Sequence, residues 1–197
     1  MNRKIYVTDG TLTICPISEE DKENFCELNK QVSLTPHMYF DQISKESVWR
    51  VTELCSDIYY SIFDENSDYC GNLIMQNPSS ETPEIGIDLL ENKRNKGIAV
   101  RAIKLVSKKF YEENTVEYFL IKAVKENTHS RHMIEKTGAV FTGMEESPYK
   151  KLLKKCIDSV SGPDCEGMKS RFEKELEEYK NMPDNVCVYK LMPETFM

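Results

Sequence analysis

The sequence has no run of about 18 apolar residues, the length a helix needs to cross a bilayer, so no membrane partner is expected. The opening stretch MNRKIYVTDGTLTICP has basic residues but no apolar segment behind them, so no signal peptide is expected either. None of the 7 cysteines (15, 26, 55, 70, 156, 165, 187) is spaced C-x-x-C, and an odd, scattered set argues against a disulfide framework. Reduced thiols in a cytoplasmic protein, filling small apolar spaces, are the expectation, with Cys156 and Cys165 the one pair that a turn could bring together. Net positive charge is also missing. At −7 the chain would be repelled by a phosphate backbone, which disfavours nucleic acid but leaves room for an anionic cofactor on a local basic patch. Internal repeats and low-complexity tracts are absent.

What is present suits one globular domain over residues 1–197: 40% hydrophobic and 30% charged residues, in a chain long enough to bury a core. GTLTICPIS alternates as a strand, and EEDKENFCELNK begins a helix with Phe25, Cys26 and Leu28 inside. Residues 36–56 are expected to be helical, with Met38, Phe40, Ile43, Val48, Trp49 and Leu54 as core positions. IYYSIFDENSDYCGNLIM predicts a hairpin turning at 64–68. PEIGIDLL is a strand, 96–112 a helix, EYFLIKAV a strand, 128–137 a short helix ended by Gly138, and AVFTGME a strand. A polar helical insertion at about 147–181, with a solvated acidic face at Glu173, Glu175, Glu177 and Glu178, precedes a last strand, NVCVYKLM. The fold class is therefore α/β or α+β, with a mixed, largely antiparallel sheet. An exposed final strand could pair between subunits as a homodimer.

Chemistry concentrates in EIGIDLLENKRNKGIAV, residues 84–100. Strand alternation puts Ile85, Ile87 and Leu89 on one face and Glu84, Gly86, Asp88 and Leu90 on the other. The first set belongs under helices; two carboxylates and a glycine make sense beside a cleft. The following helix carries Ile98, Ala99, Ala102, Ile103, Val106 and Phe110 as an apolar stripe. Its first turn is different: unpaired amides, a positive dipole end, Gly97 permitting close approach, and Arg94 and Lys96 adding charge form a phosphate cradle. Alone, R-x-x-G-x-A better suits a solvated basic turn.

Arg94, Gly97 and Ala99 resemble the central Q/R-x-x-G-x-G/A motif of the GCN5-related N-acetyltransferases (GNAT), with Ala in place of the commoner second glycine. About 30 residues on, NTHSRHMIEKTGAVFTG is similar to the family's next element, at Asn127, Ser130, Glu135, Lys136 and Gly138. LTICPISEED looks like the opening of the branch resembling ribosomal-protein N-terminal acetyltransferases. The resemblance covers about 10–146 and the final strand, and leaves the insertion unexplained. It implies a GNAT-like sheet with helices on both faces, and acetyl-CoA as cosubstrate in a splay between EIGIDLL and EYFLIKA. It places the pyrophosphate on the amides of Asn95, Lys96, Gly97, Ile98 and Ala99. The pantetheine arm would run beside the backbone of Asp88 and Leu90, with Asn127 bonding the arm and Ser130 near the nucleotide half.

Direct transfer to a primary amine, whether a protein N-terminus or a small molecule, needs a base for the ammonium proton and donors for the oxyanion. Glu84 is the candidate base, and the amides around Leu90 the candidate donors. Many relatives place a tyrosine where this chain has Ile134; Tyr118, Tyr149 and Tyr189 are alternatives without a preference. That departure and the insertion also suit a non-catalytic acyl-CoA-binding module. His129 and His132 lack completing ligands, so no metal is expected.

Overall fold

The computed structural model describes residues 3–32, 42–55, 58–146 and 185–196. The insertion, Met38, Phe40, Tyr149 and the Cys156–Cys165 pair lie outside them.

Eight strands form one sheet in the order β1-β2-β3-β4-β5-β6-β8-β7. They are β1 (Val7–Thr8), β2 (Leu12–Pro16), β3 (Tyr59–Asp64), β4 (Tyr69–Gln76), β5 (Glu84–Leu89), β6 (Phe119–Val124), β7 (Val140–Glu146) and β8 (Asn185–Leu191). Every neighbouring pair is antiparallel except β5 and β6. The β3–β4 turn falls at the expected Asp/Asn cluster, because Asp64 Oδ1 accepts from the amides of Asn66 (3.0 Å) and Asp68 (3.1 Å). Four α-helices lie among the described residues: α1 (Lys22–Val32), α2 (Gln42–Leu54), α3 (Ile98–Glu113) and α4 (Thr128–Lys136).

The helices lie on both faces of the sheet. Helix α3 buries the stripe legible in its sequence, Ile98, Ala102, Ile103, Val106 and Phe110, against Leu12, Ile14, Leu73, Ile85 and Leu89. Each such large side chain contributes about 1.5–3 kcal/mol on leaving water. On the opposite face Phe25 and Cys26 of α1 meet Trp49 of α2 and Ile17, with Tyr59 at the margin. The indole Nε1 of Trp49 donates to Glu19.

Two sequence expectations are corrected. Ile43 and Leu54 are 81% and 85% exposed rather than core. They sit six and five residues from buried Trp49, about 120° and 140° round the helix, so the face carrying Trp49 and Thr52 cannot include them. The final strand is not an edge either: β8 pairs with β6 on one side and β7 on the other, so β7 is the edge and β8 offers none to another subunit.

The β1–β2 turn is clamped to the first turn of α3. Asp9 Oδ2 accepts from Arg101 Nη2 (2.6 Å) and Nε (3.1 Å), while Oδ1 accepts from the amides of Thr11 (3.0 Å) and Leu12 (2.8 Å). Burial would raise this carboxyl, but Arg101 and the turn amides outweigh it and hold it down at about 2. An acid lowered by folding stabilises the fold fully above its ordinary range and loses that contribution as pH falls toward its folded value. Asp9→Asn is therefore expected to melt a few degrees below wild type at pH 7, with the gap narrowing between pH 4 and about 2. Melting curves across that range check it, and a gap constant with pH would refute it.

Candidate active site

Strands β5 and β6 run together only briefly. Glu84 pairs with Leu120 and Ile85 with Ile121, and from Gly86 onward the two parallel strands have no further paired residues. This is the splay the family resemblance implies. The backbone groups β5 turns into it follow from ladder alternation. The Leu90 amide donates to the Cys70 carbonyl (3.0 Å), so Leu90 and, two residues back, Asp88 direct their backbone toward β4. Ile87 and Leu89 face the gap instead, and the Leu89 carbonyl accepts from Arg94 Nε (3.0 Å). The backbone of Asp88 and Leu90, expected to run beside a pantetheine arm, is thus turned to β4, and of the amides around Leu90 its own is already engaged.

Beyond β5 the chain turns into the mouth of α3. A 3₁₀ turn at Glu91–Lys93 leads into Asn95 and Gly97, both with left-handed backbone (φ +60° and +76°). Among the described residues Arg101 is the first amide of α3 to bond back, to the Gly97 carbonyl (3.1 Å), so the amides of Ile98 and Ala99 precede the ladder. A Cβ added at Gly97 would meet nothing within 4 Å, so the space over this helix mouth is open. Arg94, Lys96 and Asn95 are exposed around it, while Ile98 is buried beneath. Open space, free amides and two cations suit a pyrophosphate, and the unpaired stretch of β5 suits a pantetheine arm.

Asn127 and Ser130 come together at the start of α4, where Asn127 Oδ1 accepts from the Ser130 amide (3.0 Å). Asn127 is thus the helix cap, which leaves its amide nitrogen as a donor for a neighbouring group. Ile134, at the place where relatives carry tyrosine, is buried under α4. Tyr189 is fully buried and its hydroxyl accepts from Arg131 Nε (3.1 Å), while Tyr118 lies under the Lys190 ammonium at 3.7 Å. Neither tyrosine stands free for proton transfer.

On the α1/α2 face, β4 and β5 floor a pocket of about 570 Å³. Its floor is Gly86, Ile87 and Asp88 with Asn72 and Ile74 of β4; Phe25 and Asn29 of α1 and Val48 and Thr52 of α2 form its walls. Gly86 keeps the floor low, because a Cβ there would approach Ile74 Cγ2 to 2.8 Å. The pocket's polar amides and hydroxyls were not anticipated from sequence; the alternation of Asn72 and Ile74 with buried Leu73 and Met75 along β4 was the available signal. Glu84 is on the same face but outside this lining. Its carboxylate is 2.8 Å from Lys122 of β6, which also reaches Glu145 of β7 at 3.3 Å. Burial works to lower the Lys122 ammonium, yet the two glutamates outweigh it and raise it, so Lys122 stays a cation. Among the described residues no group of three His, Cys, Asp or Glu is placed to hold a metal, and no helix is long and apolar enough to cross a membrane.

Over residues 11–140 the sequence matches the acetyltransferase (GNAT) domain family, and the chain belongs to that family. It is by class an acetyl-CoA-dependent N-acetyltransferase. Solved structures of the same fold include RimL, a ribosomal L7/L12 α-N-protein acetyltransferase in complex with coenzyme A, at 16% identity over 98% of this chain and 99% of that one, with a TM-score of 0.70. The spermidine N-acetyltransferase of Vibrio cholerae in complex with CoA and spermine is similar at 13% identity over 95% and 99%, TM-score 0.64. The microcin C7 self-immunity acetyltransferase MccE, in complex with acetyl-CoA and AMP, is similar at 14% over 94% and 93%, TM-score 0.63. Among curated proteins none matches the sequence.

Proposed function

We propose that this chain transfers an acetyl group from acetyl-CoA to a primary amine held in the pocket between α1, α2 and the β4–β5 floor, by direct attack with both substrates bound. One observation carries the reading: the open edge of β5 and the pocket floor meet at the same residues, Gly86 to Asp88. A thioester lying along that edge presents its carbonyl to an amine in the pocket. Acetyl-CoA supplies the activated acyl group, and the chain does the rest. Asn95 to Ala99 with Arg94 and Lys96 hold the pyrophosphate, Ile87 and Leu89 offer backbone pairing to the arm, and Asn127 and Ser130 flank it from α4. The acceptor is a protein N-terminus or a small-molecule amine, the two kinds named for RimL and for the spermidine enzyme.

Two carboxylates project from this face of β5, and both are proposed to serve the amine. Glu84 is tied to Lys122, so it reaches an amine in the pocket only through water and helps chiefly by fixing the strand end. Acetyl-CoA-dependent thiol release over a panel of primary amines tests the reading. Wild type is expected to turn over at least one of them, and Glu84→Gln to lose about tenfold, well short of the roughly 10²–10⁴ of a direct general base. A folded wild type that binds acetyl-CoA but releases no thiol with any amine would turn the reading to a non-catalytic acyl-CoA-binding module.

A further inference from the structure

Several carboxylates of the fold carry a basic partner. Fully buried Asp21 is 2.6 Å from Arg3, Asp64 is 2.7 Å from Lys93, and Glu84 is 2.8 Å from Lys122. The Asp88 carboxylate has no hydrogen bond or ion pair among the described residues. Solvent reaches it through the pocket mouth, yet the surrounding protein strips enough water to push its carboxyl up, with Arg94 pulling weakly the other way. No ion pair joins Arg94 to Asp88 among the described residues, and the Arg94 Nε donates to the Leu89 carbonyl. Asp88 is exposed on β5 at the pocket mouth, so its carboxylate is open to a cation that arrives from solvent.

The surroundings say what that is. Asn72 stands directly across the ladder from Asp88, and its Oδ1 accepts from the Tyr69 hydroxyl, which leaves the Asn72 amide nitrogen as a donor. Burial pushes the phenols of Tyr69 and Tyr59 up, so both stay neutral. Helices α1 and α2 present Asn29, Ser47 and Thr52, none of which titrates. Among the described lining residues Asp88 is the one carboxylate, set in walls of Phe25, Val48 and Ile74.

We infer that Asp88 is the docking point for the acceptor's ammonium group and the residue that takes its proton, and that the acceptor is a monocationic primary amine with an apolar body. This rests on the acetyl-transfer reading. The ammonium gives one proton to Asp88 Oδ. The freed nitrogen lone pair forms the C–N bond at the thioester carbonyl carbon while the C–S bond breaks. The nitrogen's second surplus proton passes to the departing thiolate, and Asp88 returns its own proton to solvent through the open mouth. The Asp88 backbone pairs with Asn72 of β4, and its side chain lines the acceptor pocket.

The test uses 2-phenylethylamine and its neutral counterpart 2-phenylethanol, titrated at pH 7 into the full chain saturated with CoA and followed by protein-observed NMR. Wild type is expected to bind the amine at least about tenfold more tightly than the alcohol, the scale of a hydrogen bond to a charged group. Asp88→Asn should erase the preference while binding acetyl-CoA as wild type does. With the same amine as acceptor, Asp88→Asn should lower kcat/KM by roughly 10²–10⁴, the deficit shrinking as pH rises and free amine becomes available. A wild type without the preference, or a preference that survives Asp88→Asn, overturns the inference. An Asp88-dependent preference in a protein that transfers no acetyl group leaves the docking point standing and overturns the acetyl-transfer reading.

Discussion

Gly97→Glu is expected to weaken acetyl-CoA binding at least about 100-fold, a loss of about 2.7 kcal/mol, while leaving the fold intact. Gly97 precedes α3 with φ +76°, and nothing lies within 4 Å of the Cβ that a substitution would add. Any L-residue there carries a left-handed backbone strain of about 1–2 kcal/mol, which a domain of this size tolerates. The glutamate adds a second effect: a carboxylate over the amides of Ile98 and Ala99, where the pyrophosphate is proposed to rest, blocks the space and repels the ligand. Gly97→Ala separates the two, because it carries the strain without the charge or reach. Calorimetric titration should show the alanine variant within a few-fold of wild type. If the glutamate variant binds as well as the alanine one, the pyrophosphate rests elsewhere.

The second large effect lies in the sheet. A Cβ on Gly71 would fall 2.1 Å from the Asp88 carbonyl oxygen and 2.8 Å from the Leu89 Cα, both backbone atoms, so β4 and β5 would have to part. Its φ of +155° is also a region used mainly by glycine. Overpacking of about 1–3 kcal/mol and backbone strain of similar size make Gly71→Ala cost about 3 kcal/mol. For a chain of this length that lowers the melting temperature by about 6–12 °C. The displacement falls on Asp88 and Leu89, so the amine KM should rise even at temperatures where the variant stays folded. A melting point within about 2 °C of wild type would show that the strands part without cost.

How much of this was legible in the sequence follows from the range over which each feature is determined. The α3 stripe, the two faces of β5, the 64–68 turn and the glycine at the helix mouth are set by residues within a few positions of one another, where a period of 3.6 or 2 fixes what faces inward. The family motifs added the splay. Partners from distant segments were out of reach. Lys122 captures Glu84 from β6, Cys70 engages the Leu90 amide from β4, and Asn127 spends one side of its amide on capping α4. Each changes the chemistry of a residue whose local sequence suggested freedom.

By itself, then, the sequence determined which of these segments are strands and helices, which faces β5 and α3 bury, and that a glycine opens α3, since these depend on local periodicity and on the conformations glycine permits. The tertiary structure alone decided that β8 runs between β6 and β7, that α1 and α2 enclose a pocket over β4 and β5, and that Asp88 rather than Glu84 is left unpaired inside it. Register between strands far apart in the chain sets those pairings, and no window of neighbouring residues contains it.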